Sequence, residues 1–137
     1  FTDSHATING TLTARAVNPT SDRNVKENFA PVDPREVLDK VAALPISRWN
    51  YKADPGAEHV GPMAQDFRAA FGLGTDDKHI ATVDADGVAL AAIQGLNEKV
   101  EERTQRLEAE NTELKRELAE LKELVGKLSA AVQGGGR

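Results

Sequence analysis

With 137 residues the chain has room for one domain, or for a small domain with appendages, and a large multidomain enzyme is excluded. Lys and Arg number 17 against 22 Asp and Glu, a net charge of -5, so the basic excess that marks nucleic-acid and anionic-membrane binders is missing. The absence of Cys removes disulfides, thiolate metal sites and a cysteine nucleophile, and no apolar run approaches the roughly 18 residues of a membrane span. Phe1 is neither an initiator Met nor the start of a signal peptide, and Met63 is the only Met, so an internal or C-terminal piece of a longer protein is expected.

At the N-terminus, Ala6 to Val17 alternates small β-formers around Asn9-Gly10, the pattern of hairpins or stacked fibre strands. Farther on, Asp33-Pro34-Arg35-Glu36 supplies an N-cap, a proline at the first helical position and a capping glutamate, with Val37, Leu38 and Val41 on one face. These predict a helix from Pro34 to Ala43, stopped before Pro45. Ile46 to Lys52 reads as a strand carrying Trp49 and Tyr51, Met63 to Phe71 as a short helix ended by Gly72, and His79 to Val83 as a weak strand. A body of 66 residues between Ser21 and Asp86 is small enough that Trp49, Phe67 and Phe71 are expected in its core or against a neighbouring chain.

From Glu98 to Lys127, 16 of 30 residues are charged, while Leu90, Ile93, Val100, Leu107, Leu114, Leu118, Leu121, Val125, Leu128 and Val132 recur at spacings of three, four or seven. With Leu90, Asn97, Thr104, Asn111, Leu118, Val125 and Val132 at heptad position a, the d positions are Ile93, Val100, Leu107, Leu114, Leu121 and Leu128. Asp84 or Asp86 can cap the start, and Gly134-Gly135-Gly136 ends the run. Such a helix cannot bury its apolar stripe alone, so partner helices are required. Arg103 to Glu108, Glu110 to Lys115 and Glu117 to Lys122 are opposite-sign pairs at the g to next-e spacing, which favours parallel strands. Asn111 at a suits a dimer and Leu118 at a does not, so the heptads leave dimer and trimer open.

Familiar site patterns are mostly missing. His5, His59 and His79 are too far apart for zinc spacing, Gly72 and Gly74 lack the lysine of a phosphate loop, and Asn9-Gly10-Thr11, formally a glycosylation sequon, reads equally well as a turn. One segment stands apart, SDRNVKENF from Ser21 to Phe29. A serine hydroxyl is a weak nucleophile that needs a base, and a lysine can serve once burial disfavours its ammonium form. By spacing alone, however, Ser21 is a turn or cap residue and Lys26 a solvated amine.

The ordered run NPTSDRNVKENF, ISRWNYK, HVGPMAQDF and IATVDADGVALAAIQGLNEKV, followed by a coiled coil, resembles the peptidase S74 family, the intramolecular chaperones of endosialidase tailspikes and other phage tail fibres, also found in myelin regulatory factors. The resemblance covers Pro19 to about Val100. It implies a C-terminal module that trimerises, registers an upstream β-rich fibre of the same chain and then releases itself, with Ser21 as nucleophile, Lys26 as general base and Thr20–Ser21 as the scissile bond, on a virion tail fibre or cell-surface fibre. Asp22 and Glu27 would favour the lysine's charged form, so the base is expected to work only after assembly. The expected fold is α+β: residues 1–20 the end of the client fibre, 21–86 a mixed body, 87–132 a parallel trimeric coiled coil and 133–137 a tail. No metal, cofactor, nucleic acid or membrane enters this scheme. The rival readings are a non-cleaving trimer cap and a multivalent partner-binding tip.

Overall fold

The computed structural model describes residues 6–136; His5 lies outside them, as do the first five and the last residue of the expected client tail and C-terminal tail. The chain divides into two units, Phe1–Pro31 and Val32–Arg137. Among its described residues the first holds a single regular element, a 3-10 turn at Arg23–Val25. The alternating stretch 6–17 forms no strand, contrary to its pattern. A lone β-former run in one chain has no edge to pair with, and isolated hairpins are marginal in water.

The second unit opens with helix α1, Pro34–Ala43, whose bounds are those the sequence predicts. Asp33 accepts hydrogen bonds from the backbone N of Arg35 at 2.9 Å and of Glu36 at 3.3 Å. Only that half of the expected capping box forms, because the Glu36 carboxylate pairs forward with Lys40 at 2.7 Å, one turn on. Leu44 turns extended ahead of Pro45, as the residue before a proline must.

Strands β1, Ser47–Tyr51, and β2, Asp54–Gly61, form an antiparallel ribbon in which Trp49 faces His59 and Arg48 faces Val60. Trp49, Tyr51 and His59 share one face, with ring centroids 4.8 to 5.4 Å apart, and Arg48 bonds Glu58 at 2.9 Å. Strand β2 has no signal in the sequence, since Pro55 and Gly56 near its start read as turn residues.

Helix α2, Ala64–Phe71, ends at Gly72, whose φ of 66° is the left-handed conformation that glycine adopts without penalty. Arg68 then fastens the following loop by donating to the carbonyls of Gly74 at 2.8 Å and Asp76 at 3.2 Å. Residues 79–81 are not a strand. Asp76 gathers the backbone N–H groups of Lys78 and His79 and the His79 ring into one carboxylate, which curls the segment, and the chain enters a helix at Thr82.

Helix α3, Thr82–Gly134, runs 53 residues, about 80 Å at 1.5 Å per residue. Ala81 is its N-cap, so Asp84 and Asp86 lie inside it, where Asp84 favours the positive end of the helix dipole instead of capping. Helix α1 packs on α3. The crossing is tight at Gly95, where a β-carbon would overlap the Pro34 carbonyl, lying 2.6 Å from its carbon. Phe67 and Ala92 are the only buried apolar side chains among the described residues, at 5 and 7 % exposure, while Trp49 and Phe71 are half-buried.

Gly95 therefore stands in a helix for a packing reason, and two substitutions separate that from propensity. Gly126 has open space around it, so Gly126→Ala is expected to raise the melting temperature, a glycine in a helix interior costing about 1 kcal/mol. Gly95→Ala is expected to lower stability by about 1–3 kcal/mol despite the same propensity gain, because backbone must move. Thermal denaturation followed by circular dichroism checks both, and equal shifts of one sign would remove the crossing from the account.

Candidate functional site

The 3-10 turn sets the geometry of the segment that the sequence singles out. Asp22 is its N-cap, its Oδ1 accepting from Asn24 N at 2.9 Å, and backbone bonds from Val25 N to Asp22 O at 3.3 Å and from Lys26 N to Arg23 O at 3.2 Å close it. Lys26 leaves the turn extended, with φ -116° and ψ 154°. Five residues of sequence are thereby folded back on themselves, and Lys26 Nζ donates to Ser21 Oγ at 2.6 Å. Asn28 follows with φ 57°, the only non-glycine residue in the left-handed region among those described. Such a conformation in a residue other than glycine is uncommon and gathers at functional segments.

A neutral amine at the position of Lys26 Nζ lies within reach of the Ser21 hydroxyl proton, which is the geometric requirement of a nucleophile and its base. Both residues, like the rest of 6–31, are exposed in the single chain. Among the described residues of the first unit nothing covers the amine, so the arrangement has hydrogen-bond contact while the amine stays exposed.

The second feature is the long face of α3. Ala92 at heptad position c, with Gly95 and Glu102 at f, face α1, Glu102 accepting from Arg35 at 3.0 Å. The a and d stripe lies on the opposite side of the helix. From Leu107 to Val132 its apolar members are between 49 and 76 % exposed, and Leu90, Ile93 and Val100 are similarly bare. An exposed apolar stripe of this length, interrupted only at the a positions of Asn97, Thr104 and Asn111, marks an interaction surface.

The charges of α3 sort by the same geometry. Arg116 pairs with both Glu113 and Glu120, and Lys127 with Glu123, all at the outer c and f positions. Of the six residues in the three predicted g and e pairs, only Glu110 finds a partner within the chain, Arg106 at 3.6 Å; Arg103, Glu108, Lys115, Glu117 and Lys122 form no ion pair among the described residues.

The histidines are occupied elsewhere. His59 stacks on Trp49, and His79 Nδ1 meets Asp76 at 2.9 Å. Asp76 is lowered from 3.8 to about 2, first by the bond from the Lys78 backbone and then by that from the His79 ring. Since the folded value lies below the unfolded one, its contribution to loop order is complete above about pH 4 and is lost as pH falls through about 2. The Lys78 and His79 amide resonances should accordingly titrate with a midpoint near 2, and a midpoint at the ordinary carboxylate value would contradict the loop geometry. Among the described residues no helix is long and apolar enough to cross a membrane.

A family model, peptidase S74, chaperone of endosialidase, matches residues 21–72. That span begins at Ser21 and ends at the Gly72 cap of α2. No curated protein matches the chain.

Proposed function

We propose, from the membership of residues 21–72 in the peptidase S74 family of endosialidase chaperones, that the chain is a C-terminal intramolecular chaperone that trimerises through α3, holds an upstream fibre in register and then releases itself at Thr20–Ser21. The observation that carries the chemistry is the 2.6 Å contact between Lys26 Nζ and Ser21 Oγ. In the reaction, Ser21 Oγ attacks the Thr20 carbonyl carbon while Lys26 takes the hydroxyl proton. Lys26 passes that proton to the leaving amine nitrogen of Ser21, and water hydrolyses the Thr20 ester, leaving a carboxylate on Thr20 and a free amine on Ser21. The turnover is single, because the substrate is the chain itself.

Assembly is supported by the bare a and d stripe of α3 and by the g and e charges left without partners within the chain. In parallel, in-register helices Arg103 meets Glu108, Glu110 meets Lys115, and Glu117 meets Lys122 of a neighbour. Helix α1 packs on the c and f side of α3, so three copies can close the seam without displacing it. Three extended chains that wind into one fibre face a register problem and aggregation-prone edges, and a C-terminal coil that aligns them first removes both. The exposed Lys26 of the single chain gives cleavage its timing: neighbouring copies exclude the water, and the amine then serves as base. The fibre so served is the β-rich segment that ends at residues 1–20, in the setting of a phage tail fibre or tailspike.

Sedimentation equilibrium tests the assembly. Three chain masses at micromolar concentration are expected, with fluorophores at the α3 C-termini transferring energy efficiently, as parallel helices require. A monomer, or C-termini at opposite ends of the rod, would contradict it.

A further inference from the structure

Beside the Ser21–Lys26 pair lies a hydrogen bond that capping does not require. Asp22 Oδ1 accepts from Asn24 N, which closes the 3-10 turn, and also from Asn24 Nδ2 at 3.0 Å. The charged residues of this segment are Asp22, Arg23, Lys26 and Glu27, all exposed. Neither carboxylate lies within ion-pair distance of Lys26 among the described residues; the amine goes to Ser21 instead. Asp22 is next in sequence to Ser21, and its occupied oxygen is turned to Asn24.

We infer that Asp22 and Asn24 form a clamp with two functions: Asp22 folds the turn that brings Lys26 to Ser21, and Asn24 holds the Asp22 carboxylate off Lys26. The second matters because a carboxylate on the lysine stabilises its ammonium form, which has no lone pair with which to take the serine proton. Asp22 and Asn24 are positioning residues, acting through Lys26. The inference rests on the Ser21–Lys26 chemistry proposed above.

The test uses the full chain under assembling conditions, with the rate of cleavage followed across pH. Asp22→Ala is expected to slow cleavage about fivefold at every pH, the effect of losing an N-cap, and Asp22→Ser, which caps as well as Asp, to recover the rate to within about twofold. Asn24→Ala keeps the backbone donor and removes the side-chain one, leaving the Asp22 carboxylate held by a single hydrogen bond. It is expected to slow cleavage on the acid side only, moving the acid limb of the profile alkaline by about half a pH unit or more. Adding Asp22→Asn to Asn24→Ala should cancel that movement. A role confined to holding the turn lowers the rate without moving the limb. The clamp is overturned if the Asn24→Ala profile superimposes on the wild type or falls uniformly, or if Asp22→Ser is no faster than Asp22→Ala.

A readout without chemistry separates this from the dyad. In the uncut Ser21→Ala chain, the Asn24 backbone amide resonance should shift on adding Asp22→Ala and stay in place on adding Asp22→Ser. If Ser21→Ala is itself cut at the same bond, the dyad fails while the Asn24 resonance still decides whether the clamp exists. If the resonance ignores both Asp22 variants, the clamp fails whatever the cleavage rates do.

Discussion

Lys26→Arg is expected to slow self-cleavage at least about a hundredfold while leaving the oligomer intact, the loss that follows when a positioned general base is removed. Arginine can still reach Ser21 from the end of the 3-10 turn and can still donate a hydrogen bond. Its guanidinium, however, stays protonated at any pH the fold survives, so it cannot accept the hydroxyl proton. Ser21→Ala is expected to stop the reaction outright, and Lys26→Ala to match Lys26→Arg. Both residues are exposed in the single chain, so neither replacement removes buried surface or gives a reason for unfolding. Gel electrophoresis over time reads the rate, and circular dichroism with sedimentation confirms the fold. Cleavage by Lys26→Arg at the wild-type rate would remove lysine as the base.

The second large effect is expected from α3. Leu114 and Leu121 occupy successive d positions, and in the single chain they are 64 and 57 % exposed. Replacing both with Asn costs the single helix little, since neither side chain is buried there. In the proposed trimer each loss removes a core leucine, on the order of 2–5 kcal/mol per site, repeated in every chain. The double variant should sediment as a monomer, lose helicity because an isolated polar helix is marginal, and fail to cut although Ser21 and Lys26 are unchanged. Trimerisation with normal cleavage would show that the seam lies elsewhere on the helix. A monomer that cuts at the wild-type rate would break the link between assembly and chemistry.

How much of this was legible in the sequence depends on how local the determining interaction is. Helix α1 could be bounded to the residue because Asp33, Pro34 and Pro45 act within one turn of its ends. Helix α2 and its Gly72 cap are local in the same way. Strand β2 was not legible: Pro55 and Gly56 argue against it, and it forms because Trp49 and Tyr51 offer a face on which His59 stacks. The strand expected at His79 to Val83 fails for the converse reason, its β-formers having no neighbour to pair with while Asp76 curls the chain. The heptads predict the free face of α3 and its extent from 87 to 132, but not that the helix starts at Thr82 and runs to Gly134, nor that Gly95 lets α1 approach the opposite side, since a lone glycine in a helix pattern looks only like a weakness.

The site divides likewise. The five-residue spacing of Ser21 and Lys26 carried little weight alone, and what made it notable was the family resemblance of the residues around it. The Asp22 cap that folds Lys26 onto Ser21 uses an ordinary aspartate at an ordinary cap position, and its link to the pair appears only in three dimensions. The left-handed Asn28 has no sequence signature beyond asparagine's tolerance of that region.

The central claim, that this chain cuts itself at Thr20–Ser21 once assembled, is tested most directly by the intact mass of the purified wild-type chain after incubation as the oligomer. The account predicts a C-terminal product of 117 residues beginning at Ser21, the 137 of the chain less the 20 before that serine, together with the 20-residue fragment ending in a free Thr20 carboxylate. A fully assembled oligomer whose chains all retain 137 residues, or a product that begins at any residue other than Ser21, would contradict it.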